Sequence, residues 1–179
     1  MKIILENWKR FVEQEEVGTK VVFPDWLKDK LTEVHTETGQ GSVFAKSIDE
    51  VEQIVKNIIA DRTDIEKVAN STGTITEKIS GIGYDLVMPS SEAQQLPDAQ
   101  MGTTEKTEGP NKIEVPMVTT SAPMSQFSTD QLTIIVRPMK DDSKQPIQGS
   151  YIILSAFPGN PNVPPASEWK GKWTVVVPS

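Results

Sequence analysis

The chain has 179 residues, enough for one domain with a real core. It contains no cysteine, which removes disulfides and thiolate metal sites from consideration. A net charge of −7 leaves no basic stripe of the kind that coats nucleic acid, although brief contact with RNA over a small patch stays open.

The first predicted element is an amphipathic helix within residues 1–17. In "IILENWKRFVEQEE", Leu5, Trp8, Phe11 and Val12 fall at helical spacing with charges between them. Gly18 ends this helix, and residues 17–23 read as a linker. The opening lacks the long apolar centre and small-residue cleavage site of a signal peptide. No apolar run approaches the roughly 20 residues of a membrane span. The chain is therefore expected in a cytoplasm or delivered by a non-secretory route, with no membrane partner.

A second helix is predicted in "PDWLKDKLTEVH", with Pro24 in its first turn, where a missing N–H costs nothing. Leu27, Leu31 and Val34 share one stripe, and His35 lies at the C-terminal end of that stripe. "TETGQGS" is a glycine-broken loop. A third helix, in "SIDEVEQIVKNII", opens on Ser47 with Glu50 three residues on, the pattern of a capping box. Its buried face is Val51, Ile54, Val55, Ile58 and Ile59. Residues 64–80 stay ambiguous, a helical fragment around 65–69 followed by a Ser/Thr/Gly-rich stretch.

From Ile82 the pattern changes. "IGYDLVMP", "NKIEVPMVTT", "QLTIIVRPM", "GSYIILSAF" and "KWTVVVP" are short β-rich runs bounded by Pro, Gly, Asp and Asn. Between the first two, residues 90–109 are polar and read as a mobile loop. The expected fold class is α+β: two or three N-terminal helices packed on one face of an antiparallel sheet of about five strands. Residues 18–179 form one domain in this reading, with residues 1–17 as an appended segment.

Few side chains suggest chemistry. His35 is the only group that titrates near neutrality, so it is the first acid–base candidate; it also reads as a helix-terminal histidine favoured by the dipole there. Arg137, at the end of "LTIIVRP", could clamp a phosphate with its planar fork of donors, or serve as a solvated charge. Lys46 follows Phe44 in the loop after His35 and could add a second positive charge. Ser155, on a run that leaves into "AFPGNPNVPP", offers one hydroxyl at a strand end, and a plain strand end followed by a turn is the alternative. No "GxSxG" elbow, no "GxxxxGK[ST]" loop and no spacing of metal ligands occurs, so neither a metal nor a cofactor is expected.

Three stretches, in order, carry a resemblance: "WLKDKLTEVHTETGQGSVF", "KSIDEVEQIVKNII" and "YIILSAFPG". Together they resemble the barnase, EndoU, colicin and RelE-like nucleases, including phage and polymorphic-toxin members. The resemblance implies an RNA endonuclease needing no metal, in which a ribose 2′-hydroxyl attacks the neighbouring phosphate. It implies His35 as acid or base and Ser155 as the strand-end hydroxyl. Arg137 is added from strand geometry as the transition-state clamp, and Lys46 and Tyr151 as substrate-binding residues. Such family members often carry threonine at the Ser155 position and more basic or histidine residues than this chain has. That departure keeps a second expectation alive, a non-enzymatic accessory protein on a degenerate nuclease fold.

The opening "MKIILENWKRFVEQEE" is similar to the leaders of T4-like phage head proteins. It implies targeting into the head, cleavage after Glu13 in "Phe11-Val12-Glu13", phage head proteins as partners, and a location in the virion or the host cytoplasm. An ordinary helix packed on the domain is the alternative.

Overall fold

The computed structural model describes residues 18–35 and 40–179. The N-terminal helix, its leader role and Glu13 lie outside these described residues.

The elements run β1 (Lys20–Val22), α1 (Asp25–Val34), β2 (Ser42–Phe44), α2 (Ile48–Asp61), α3 (Ile65–Asn70), β3 (Thr74–Asp85), β4 (Val87–Pro89) and α4 (Ser90–Ala93). They continue with β5 (Gln100–Glu108), β6 (Asn111–Thr120), β7 (Ser128–Lys140), β8 (Pro146–Pro158) and β9 (Trp173–Pro178). Short 3-10 turns occupy Met124–Phe127 and Ala166–Glu168.

Local chemistry accounts for the helices. Pro24 is the N-cap of α1 in extended geometry. Ser47 and Glu50 form the expected capping box of α2: Glu50 N donates to Ser47 Oγ (3.3 Å) and Ser47 N donates to Glu50 Oε2 (2.9 Å). Spacing at i, i+4 and i+8 puts Val51, Val55 and Ile59 on one buried face, with Ile54 and Ile58 half-buried beside them.

The strands form two sheets. The larger has the order β1-β8-β7-β3-β2 and the smaller β4-β9-β6-β5. In the first, β7 pairs antiparallel with both β3 and β8, while β1 runs parallel to β8. In the second, β6 runs parallel to β9 and antiparallel to β5. Helices α1 to α3 cover one face of the larger sheet, burying Leu27, Leu31, Val51 and Ile59 against Ile75, Ile134, Val136 and Ile153. Each fully buried Leu or Ile of this kind stabilises by about 1.5–3 kcal/mol.

The expected fold class is overturned. Among the described residues the chain is mostly β, with nine strands in two sheets, not two or three helices on a single sheet of about five strands. Two causes are visible. Strands β1, β2 and β4 are three residues each, too short to show a period of two; β1 falls in the stretch read as a linker. Strand β5 lies inside the stretch read as a mobile loop. Its sequence QMGTTEKTE has no apolar alternation, because as the outer strand of its sheet it is exposed along most of its length. Threonine supplies its β preference, and the paired strand β6 supplies its register.

A single residue, Leu86, separates β3 of the larger sheet from β4 of the smaller. It is fully buried, donates its N–H to Gly41 O (2.6 Å) and accepts from Val176 N (2.8 Å). The two sheets are therefore welded where β3 becomes β4, and the concavity beside that weld holds the charged residues described next.

Candidate functional site

A cavity of about 300 Å³ opens beside this junction. Each surrounding element contributes one part. The end of α1 supplies His35, β2 supplies Ser42 and the last residue of β3 supplies Asp85. The far end of β5 supplies Lys106, Thr107 and Glu108. Phe157 and Pro158 come from β8, and the proline-rich strap 160–169 adds Val163, Pro164, Pro165, Ala166 and Trp169. The walls are mainly apolar, and the polar groups are few and convergent, which is the usual anatomy of a small-ligand site.

His35 is buried as the C-cap of α1, its N–H donating to Leu31 O. Its ring Nδ1 lies 3.0 Å from Ser42 O and 2.9 Å from Ser42 Oγ. A carbonyl can only accept, so the proton is assigned to Nδ1 and the lone pair to Nε2. The ring meets Phe44 edge-on at 5.6 Å and stacks on Phe157 at 6.4 Å. Burial lowers its pKa to about 4, and the nearby charges of Lys106 and Lys30 push the same way against the Ser42 hydrogen bond. At neutral pH the ring is uncharged.

Asp85 is fixed by backbone. It accepts from Asn160 N (3.1 Å) and Val87 N (3.3 Å). Gly159 leans on the carboxylate with φ +117°, and a Cβ there would collide with it, so only glycine starts the strap at this point. Burial raises the Asp85 pKa, opposed by those two amide donors. Lys106 Nζ donates to Gln40 O, and burial lowers its pKa against the attraction of Glu108 and Asp85. Glu108 accepts from Ser167 N (3.2 Å), so the strap is tied to Asp85 at its start and to Glu108 near its end, while Trp169 Nε1 donates to Pro164 O (2.8 Å) within the strap.

Of the residues singled out from sequence that fall among the described residues, His35 lines this cavity and the others do not. Ser155 is not at a strand end: β8 continues to Pro158, and Ser155 pairs with Ile135 in its interior. It shares the sheet face of Thr133 and Phe157, opposite the helices, and is half-buried. A bulge at Leu154 precedes it. Arg137 is also inside its strand, which runs to Lys140. Its Nη1 donates to Thr72 O (3.0 Å) and Val136 O (2.9 Å), lying across Gly73, where a Cβ would collide with the guanidinium. One arm of the fork, Nη1, is thus engaged by main-chain carbonyls. Tyr151 is buried in the core beneath the helices. Lys46 lies at the start of α2, beside Asp49 and Glu50, in a separate shallow hollow.

Compared with family models, with curated proteins and with solved structures, the chain matches none. The site therefore has to be read from its own chemistry. Among the described residues, no helix is long and apolar enough to cross a membrane.

The residues that sequence reasoning missed are Asp85, Lys106, Glu108, Phe157 and Trp169. One of them left a signal. Asp85 interrupts the β-rich run "IGYDLVMP", where a charge needs a reason. Lys106 and Glu108 alternate with other polar residues in β5 and look like an ordinary solvated edge.

Proposed function

We propose that this protein is a non-enzymatic binding protein that holds a small ligand in the cavity beside Leu86. One observation carries the reading: three ionisable side chains, Asp85, Lys106 and Glu108, converge with a neutral His35 on one apolar-walled cavity. Holding ions half-buried against an apolar wall is costly unless something repays it, and ligand recognition is one reason to keep them there. A thermal-shift screen against a library of small metabolites tests this. Compounds that raise the Tm of the wild type by several degrees, and fail to do so in Val163→Trp, which fills the cavity, are the expected result. A library without one such compound would overturn it.

A second reading keeps the nuclease expectation. It is favoured by the neutral His35 ring, a proton acceptor, lying in the same cavity as the Lys106 cation. In this version Lys106 takes the charge-stabilising role first given to Arg137. Incubating the protein with total RNA in EDTA checks it: cleavage that disappears in His35→Ala is expected, and intact RNA rules it out.

The head-packaged role drawn from the opening residues fits the binding-protein reading. It predicts that mature particles contain the chain truncated after Glu13. Mass spectrometry showing an intact Met1 terminus would count against it.

A further inference from the structure

Three charged side chains face the cavity, and none of them makes a direct ion pair among the described residues. Asp85, Lys106 and Glu108 take part in none of the salt bridges among the described residues. Each is anchored by backbone instead: Asp85 by two amide donors, Glu108 by Ser167 N, and Lys106 by Gln40 O. These anchors fix position, and the charges are compensated only in part, by the attraction of Lys106 for Asp85 and Glu108 without direct contact. A lone ammonium has three donors, and one of them is accounted for by Gln40. A carboxylate has about four acceptor sites, and Asp85 uses two.

The signs select the occupant. A simple anion would suit Lys106 but meet Asp85 and Glu108. A simple cation would suit the carboxylates but meet Lys106. A molecule carrying both charges close together satisfies all three at once. The rest of the wall, including Phe157, Trp169 and Val163, asks for an apolar body beside that charged head. A volume of about 300 Å³ is at the small end of ligand sites, which suits a molecule of amino-acid size.

We infer that the cavity takes a free α-amino acid with an apolar side chain, its carboxylate toward Lys106, its ammonium toward Asp85 and Glu108, and its side chain against Phe157 and Trp169. The inference rests on the reading of the cavity as a ligand site and names the ligand class. Burial acts in its favour: it lowers the pKa of Lys106 and raises that of Asp85, so both ions are penalised as they stand. A zwitterion would return a partner to each without changing the net charge of the site.

Isothermal titration of the full chain with L-phenylalanine, L-leucine, 3-phenylpropionate and 2-phenylethylamine tests it. At least one amino acid should bind saturably, about tenfold or more tighter than either analogue of matching body that lacks one charge, as expected for one charged hydrogen bond. Lys106→Met should weaken amino-acid binding about tenfold and leave 2-phenylethylamine unchanged. Asp85→Asn should weaken both. The wild-type comparison decides the matter even if a variant fails to fold. Analogues that bind as well as the amino acids would overturn the inference. So would amino acids that do not bind while other library compounds do, an outcome that leaves the ligand cavity standing. A cavity that accepts nothing sinks both readings.

Discussion

His35 sits in a setting where protonation is costly: buried, Nδ1 tied to Ser42, with Lys106 and Lys30 near enough to repel a second charge. Its folded pKa of about 4 lies below the ordinary 6.5. A depressed folded pKa means the unfolded chain takes up the proton first as pH falls. The neutral ring's stability is fully present above about pH 6.5, is lost between 6.5 and about 4, and levels off below. The difference corresponds to about 3 kcal/mol. Urea unfolding of the wild type and His35→Gln at pH 7 and pH 4.5 measures it. The wild type should lose about 2–3 kcal/mol more than the variant over that interval, and parallel losses would refute the assignment. Arg137 behaves in the opposite manner. Its two bonds to carbonyls make it a clasp on the turn before β3, so Arg137→Met should cost about 1 kcal/mol of stability and leave ligand affinity unchanged. A sequence shows which residue is the lone histidine, but it does not show that the arginine's Nη1 is held by Thr72 and Val136. That depends on a chain reversal at Gly73, 64 positions earlier, which no local pattern encodes.

Strand β5 shows why some elements were legible and others not. The buried stripe of α2 and its capping box are local facts, written within fourteen residues, and the helix follows from them. Strand β6 alternates well enough to stand out. Strand β5 has no such record: it is a strand because β6 pairs with it from Gln100↔Thr119 to Glu108↔Asn111. Its outer edge is closed in an unusual way. The Gln40 side-chain amide bonds it like a short piece of strand, Nε2 donating to Glu105 O (3.2 Å) and Oε1 accepting from Thr107 N (3.0 Å). Lys106 reaches the Gln40 main chain from the same strand, so this clamp holds the cavity's cation in place. Gln40→Ala should destabilise by about 1 kcal/mol, speed exchange of the Thr107 amide, and weaken any cavity ligand that depends on Lys106. Unchanged Thr107 exchange would show that the clamp is not holding the strand. The helix-covered sheet was thus half-visible in sequence, whereas the second sheet, and with it two sides of the cavity, depended on pairings between distant segments.

One apolar cluster bridges the two sheets in addition to the peptide link at Leu86. It contains Leu86, Val118, Phe127 and Val176, with Val43 and Tyr84 of the larger sheet packed against it. Residues of β2 and β3 therefore pack against β6 and β9, so separating the sheets would expose this cluster. The cavity depends on this arrangement, since His35 and Asp85 arrive with the larger sheet and Lys106 and Glu108 with the smaller. Cooperative unfolding follows from shared burial. Tryptophan fluorescence and far-UV circular dichroism should give coincident urea transitions, because Trp26 lies on α1 and Trp173 on β9 while the dichroism reports every element. Leu86→Ala removes a fully buried side chain at the junction and should cost about 2–5 kcal/mol while keeping a single transition. If the variant instead splits into two transitions, Leu86 is the main coupling between the sheets and the shared cluster is secondary. If the wild type itself shows two, the sheets are separate folding units, and a site assembled from both would be held by contact alone.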